Sequence, residues 1–209
     1  MSRTWGAVFC GGQSRRMGCD KALLELEGVA LLDRALLCLD GVASVCVLAC
    51  GPRARYEDRG RELVLDPPAG VYGQDPGPLA ALEAVLARVH QREGQAWVAA
   101  LAVDLVRARP EIFGLLLARA RSEGADACLL STARGPEPLL AVYHTRCLGP
   151  IRKALRAGER RMVAFHRGYG ELCISLLSVS ELPGELGVDE PARNVNSPAE
   201  FLREGGSIP

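Results

Sequence analysis

The chain has 209 residues, 48% of them hydrophobic and 5% aromatic, enough for one α/β domain with a full core. Lysine plus arginine balances aspartate plus glutamate at 25 each, so the formal net charge is zero. That balance excludes a general nucleic-acid or membrane-surface binder, which would carry a basic excess, and any anion site must be local.

In chain order, "MSRTWG" has no signal-peptide core, and no apolar run approaches the roughly 18 residues of a membrane span. "TWGAVFC" (4–10), "SVCVLAC" (44–50), "ELVLD" (62–66), "WVAALAVD" (97–104) and "DACLLST" (126–132) are short and continuously apolar. They read as strands buried on both faces of a parallel sheet. Between them "VALLDRALLCLDG" (29–41), "GPLAALEAVLARVHQREG" (77–94) and "RPEIFGLLLARARSEG" (109–124) have helical spacing and end at glycine. This alternation predicts a doubly wound, mostly parallel sheet that binds its ligand at the carboxyl ends of the strands. After residue 134 the order becomes strand, helix, basic segment, strand, and then a helix capped by Ser197 with Pro198 at its first position. The whole of 1–209 reads as a single domain in which 134–209 extends the sheet of 1–133 and walls one side of the cleft. Eight cysteines occur without a C-x-x-C pair, several inside apolar runs, and read as reduced core residues of a cytoplasmic protein.

The chemistry concentrates at strand ends. "CGGQSRRMGCDK" (10–21) lacks both the Walker A spacing and G-x-G-x-x-G. Its glycines are either simple turn residues or a cradle whose amides line phosphate oxygens, with Arg15, Arg16 and Lys21 supplying charge. Asp104 closes a buried strand and is either a turn or cap aspartate or a Mg²⁺ ligand, since magnesium takes one or two carboxylates plus substrate phosphates. Asp66, before two prolines, has the same dual reading. Gly77 either opens a helix or admits a close approach. Arg160 and Arg161 in "GERRM" read by default as a solvated pair, and the three histidines as structural or surface residues. A phosphate cradle, a metal carboxylate and no evident nucleophile point to phosphoryl or nucleotidyl transfer.

"FCGGQSRRMGCDKALLELEGVALLDR" closely resembles the N-terminal signature of the molybdenum cofactor guanylyltransferases, L-A-G-G-x-S-x-R-M-G-x-D-K-A-L-L. "GPLAALEAVL", "AVDLVRARPEI", "EPLLAVYHTRCLGPIRKALRAGERRMVAF" and "NVNSPAEF" resemble later motifs of that family, over nearly the whole chain. The first motif alone would indicate only the wider nucleotidyltransferase superfamily.

The resemblance implies a Rossmann-like, nucleotide-diphospho-sugar transferase-like fold, with a nucleotide-binding half (1–133) and a pterin-side half (134–209). It implies GTP and molybdenum-molybdopterin as substrates, Mg²⁺ as cofactor, and other proteins of molybdenum cofactor biosynthesis as partners. By motif position, Cys10, Gly11 and Gly12 contact the nucleotide, Lys21 its phosphates, and Arg15 and Arg16 the leaving pyrophosphate. Asp66 lies near the ribose or base, Gly77 in the second substrate-binding motif, and Asp104 holds Mg²⁺. Arg160, Arg161, Asn194 and Asn196 face the pterin side or support that wall. Phe9-Cys10 replaces the family's Leu-Ala, "VDLV" its Cys-Asp-Thr-Pro, and "VLACG" lacks the asparagine often found after the second strand. The alternatives are a cytidylyltransferase acting on molybdopterin, a sugar-phosphate nucleotidyltransferase, and a non-catalytic nucleotide-binding homologue.

Overall fold

The computed structural model describes residues 3–12, 19–73, 77–188 and 190–207. Strand β1 (Thr4–Phe9) is followed by a short 3-10 turn (Lys21–Leu23) and the hairpin β2 (Glu25–Leu26) and β3 (Val29–Ala30). Helix α1 (Leu31–Asp40), β4 (Val45–Gly51), β5 (Glu62–Leu65), α2 (Gly77–Glu93), β6 (Trp97–Ala102) and α3 (Pro110–Ser122) follow. The second half supplies β7 (Ala127–Thr132), β8 (Gly135–His144), α4 (Leu148–Arg156), β9 (Ile174–Ser178), α5 (Glu185–Val188), α6 (Pro198–Arg203) and β10 (Gly206–Ser207).

The main sheet has the order β5-β4-β1-β6-β8-β7-β9. Its neighbours pair in parallel except at β8, which runs antiparallel to both β6 and β7. The expected mostly parallel, doubly wound sheet is therefore present. Its central strands β1, β4 and β6 are almost wholly apolar because successive side chains enter different layers. Trp5, Ala7 and Phe9 of β1 join Val98 and Ala100 of β6 in the layer under α2 and α4. Val8, Trp97, Ala99 and Leu101 join the layer under α1 and α3. Each fully buried leucine or phenylalanine in these layers contributes about 1.5–3 kcal/mol over exposure.

The helix expected from residue 29 starts at Leu31 instead. Glu27 (φ 56°) and Gly28 (φ 76°) form a two-residue turn that pairs Leu26 with Val29 and Glu25 with Ala30. Strand β10 adds to the other side of β2, and Leu24, Leu26, Leu31, Val195 and Phe201 form a small core beneath. The tail helix is capped as expected: Glu200 N donates to Ser197 Oγ at 3.3 Å, and Pro198 occupies the first position.

Candidate active site

Parallel strands bring the carboxyl ends of β1, β4 and β6 together. Val103 N donates to Phe9 O at 3.2 Å and Cys10 N to Ala49 O at 3.0 Å, so the ladder persists to the mouth of the 10–21 loop. A Cβ on Gly11 would fall 2.5 Å from Gly51 N, a backbone atom that cannot give way. Glycine is therefore demanded there by the close approach of two strand ends, with Gly51 itself at φ 77°. Gly12 is different: among the described residues nothing stands within 4 Å of a Cβ built on it. Packing does not explain that glycine, and a close ligand would. Cys10 is buried, its Sγ 4.0 Å from Cys50 Sγ, and the contact with that thiol, then burial, pushes its pKa far up. Cys10 thus offers backbone and not thiolate.

Asp20 caps the 3-10 turn by accepting from Ala22 N at 3.2 Å, and the turn delivers Lys21 into the cleft. Lys21 is 8% exposed, an unusual burial for lysine that calls for partners. Its Nζ donates to Asp104 Oδ2 at 2.9 Å and to Asn196 Oδ1 at 3.2 Å. Asp104 O accepts from Val195 N at 3.1 Å, while Asn196 N and Ser197 N donate to Glu200 Oε2 at 2.7 and 3.0 Å. Lys21, Asp104 and Asn196 therefore meet at one point. The departure "VDLV" is accommodated: Leu105 is buried in the main core, and its N donates to Ala102 O at 3.1 Å to shape the turn behind Asp104.

The remaining expected residues spread around this point. Asp66 is half-buried, its N donates to Gly51 O at 2.9 Å, and burial raises its carboxyl pKa. Gly77 (φ 66°) packs against Arg160, whose O accepts from Leu79 N at 3.3 Å. The Arg160 guanidinium donates to Leu155 O at 3.2 Å, to Glu159 O at 2.8 Å and to Tyr72 O. It ties the end of α4 to the segment before α2, while Arg161 is exposed. Asn194 Oδ1 is buried with no hydrogen-bond donor among the described residues. Arg15 and Arg16 lie outside the described residues.

Sequence reasoning missed two groups. Glu137, at the start of antiparallel β8, pairs with Leu130 of β7, and burial, with the Asp104 charge adding to it, raises its carboxyl pKa. Arg55 and Tyr56, between β4 and β5, contact Asp20 and the backbone of Cys10. Only the Asp-Lys pair next to them was visible as a motif. A separate cavity of about 520 Å³ between α2 and α4 is lined by Arg88, His90 and Arg152. Both arginines are already paired, with Glu62 and Glu83, and the cavity shares no residue with the strand ends.

Among the described residues no group of three or more His, Cys, Asp or Glu could hold a metal by itself. An all-oxygen partial set does exist. Asp104 Oδ1 accepts no hydrogen bond among the described residues, and the Asn196 amide oxygen lies beside the same ammonium. One carboxylate completed by substrate phosphates is how magnesium is commonly held.

The sequence model of the MobA-like NTP transferase domain matches residues 6–171. The chain belongs to the MobA-like NTP transferase family. A relative from Opitutus terrae named "Probable molybdenum cofactor guanylyltransferase" is 38% identical over 161 residues, covering 77% of this chain and 76% of its own. One of the same name from Deinococcus radiodurans is 36% identical over 156 residues, 75% of each chain. Another from Pelotomaculum thermopropionicum, 28% identical over 205 residues, covers 97% of this chain and carries the likeness into the tail that bears Asn194 and Asn196. The crystal structure of molybdopterin-guanine dinucleotide biosynthesis protein A from Archaeoglobus fulgidus has the same fold (TM-score 0.70, 24% identity, 96% of each chain). As a MobA-like NTP transferase the chain is a nucleotidyltransferase, and among the described residues no helix is long and apolar enough to cross a membrane.

Proposed function

We propose that the protein transfers GMP from GTP to the terminal phosphate of molybdenum-molybdopterin, forming the guanine dinucleotide cofactor and releasing pyrophosphate. The convergence of Lys21, Asp104 and Asn196 beside the Gly11-Gly12 turn carries this reading. A cation, a carboxylate and a backbone segment that no described residue obstructs are the groups a triphosphate site needs, and their meeting supports this reading.

In this reading an oxygen of the acceptor phosphate attacks the α-phosphorus of GTP. The bond from that phosphorus to the bridging α–β oxygen breaks, and pyrophosphate departs with the electron pair. No protein nucleophile is required, so positioning and charge complementarity supply the rate. Gly12, which no described residue obstructs, lets the chain approach the phosphates closely, and Lys21 balances their charge. Asp104, with the neighbouring Asn196 oxygen, would hold Mg²⁺, which when bound offsets negative charge on the phosphates. Arg160 shapes the pterin-side wall through its three carbonyls, leaving exposed Arg161 to meet the acceptor. No disulfide joins the cysteines, which supports a reducing compartment, the cytoplasm.

The test is incubation of the purified protein with molybdenum-molybdopterin, Mg²⁺ and each labelled nucleoside triphosphate in turn. Transfer from GTP alone is expected. Transfer from CTP overturns the guanine assignment, and binding without transfer overturns the enzymatic one.

A further inference from the structure

A loop that uses backbone amides to hold phosphates must be fixed at both ends, because each amide contributes only when already aimed. The 10–21 loop starts at Cys10 and ends at Asp20 and Lys21. Both ends are gripped by one dipeptide in the β4–β5 connection. Arg55 Nη2 donates to Cys10 O at 2.9 Å and to Cys50 O at 3.4 Å, while Nη1 donates to Asp20 Oδ2 at 3.4 Å. The Tyr56 hydroxyl is shared between Asp20 Oδ1 and Oδ2 at 2.9 and 2.8 Å. Burial and the facing Asp20 carboxylate raise the Tyr56 pKa, so the phenol remains a donor.

Other features tie the dipeptide to this task. Arg55 lies 5.1 Å from the Tyr56 ring centroid, so the two side chains brace each other. Tyr56 adopts φ 67°, a left-handed conformation that a bulky residue takes only when its surroundings enforce it. That turn directs the hydroxyl to the Asp20 carboxylate, and the residue is 7% exposed. Asp20 is the shared element. It accepts from Tyr56, pairs with Arg55, and caps the turn that begins with Lys21.

We propose that Arg55 and Tyr56 are positioning residues for the nucleotide loop, acting through Cys10 O and Asp20 to set the aim of the glycine amides and of Lys21 toward the triphosphate. The role rests on the nucleotidyl-transfer reading. It predicts a defect confined to the nucleotide, since neither residue touches the acceptor-side wall built around Arg160.

The experiment compares Tyr56→Phe, Arg55→Met, Arg55→Lys, Asp20→Asn and the Tyr56→Phe/Asp20→Asn double variant, each as full-length protein. Thr145→Val is the structural control. Thr145 Oγ1 accepts from Ala96 N at 3.3 Å and donates to Gly94 O at 3.1 Å at the opposite end of β6. Readouts are thermal midpoint, GTP affinity by calorimetry with Mg²⁺, and separate KM values for GTP and acceptor.

Tyr56→Phe is expected to raise both Kd and KM for GTP about tenfold, the loss of one hydrogen bond to a charged group, with the acceptor KM unchanged. Arg55→Lys should recover part of what Arg55→Met loses. The double variant should be no worse than the poorer single one, because both cut the same chain of contacts. Thr145→Val should lower the thermal midpoint with GTP affinity intact. Wild-type GTP affinity in Tyr56→Phe and Arg55→Met, or strictly additive losses in the double variant, overturns the proposal. A wild-type protein that binds no nucleoside triphosphate overturns the transferase reading and this role with it, an outcome distinct from intact binding in the variants.

Discussion

Lys21 Nζ stands 2.9 Å from Asp104 Oδ2 across 83 residues of sequence, with the two side chains 10% and 23% exposed. Removing either partner leaves the other charge poorly solvated. Lys21→Met and Asp104→Asn should each destabilise the protein by about 2 kcal/mol in urea unfolding. The double variant should recover part of that stability. None of the three should recover transfer, and each single change should lower kcat/KM by at least about 100-fold. Equal activity in Asp104→Asn would remove the carboxylate from the reaction.

The two loop glycines separate packing from binding. Gly11→Ala drives a methyl into Gly51 and should cost about 1–3 kcal/mol in urea unfolding while weakening nucleotide binding indirectly. Gly12→Ala meets nothing among the described residues and should leave the thermal midpoint within a degree or two. Its GTP affinity should nevertheless fall sharply. A Gly12→Ala protein that binds GTP normally would show that the phosphates do not approach that residue.

Neighbouring arginines should behave oppositely. Arg160→Ala removes a guanidinium that serves three carbonyls and should cost about 2 kcal/mol by thermal or chemical unfolding. Arg161→Ala should stay within about 0.5 kcal/mol of wild type. Its effect belongs in the acceptor KM, measured with GTP saturating.

Two histidines make the fold acid-sensitive. Burial, then the Arg146 charge, pulls His144 down to about 4, and burial pulls His166 to about 4. Both folded values lie below the unfolded value of roughly 6.5. The neutral rings therefore contribute fully above that pH, and stability falls as the pH drops from there toward 4. Urea midpoints measured from pH 7 to 4.5 should decline, and His166→Gln should flatten part of the decline. NMR titration should show neither imidazole protonating near 6.5 in the folded protein.

Much of the sheet was legible because a strand buried on both faces has a local signature, and "WVAALAVD" carries it without interruption. Lys21 and Asp104 were legible as charges stationed at strand ends. What was hidden depends on contacts across long separations. The role of Arg55 and Tyr56 exists only once Asp20 is beside them, and nothing local in "RARY" marks it. Asn196 was visible only through its motif, and the bond from Lys21 to its amide oxygen spans 175 residues that no local pattern connects. Arg160 and Arg161 look alike in "GERRM", and only the surrounding carbonyls separate them. The Glu27-Gly28 turn has a local signal, but the strand it builds finds its second partner in β10.

That β10–β2 pairing has a consequence for the order in which the molecule can form. Every strand of the main sheet ends by Ser178, whereas Asn196, Gly206 and Ser207 lie further along the chain. Lys21 meets its amide partner, and the β2–β3 hairpin its third strand, only once those last residues are free to dock. A chain truncated before residue 195 would keep every strand of the main sheet and lose both contacts.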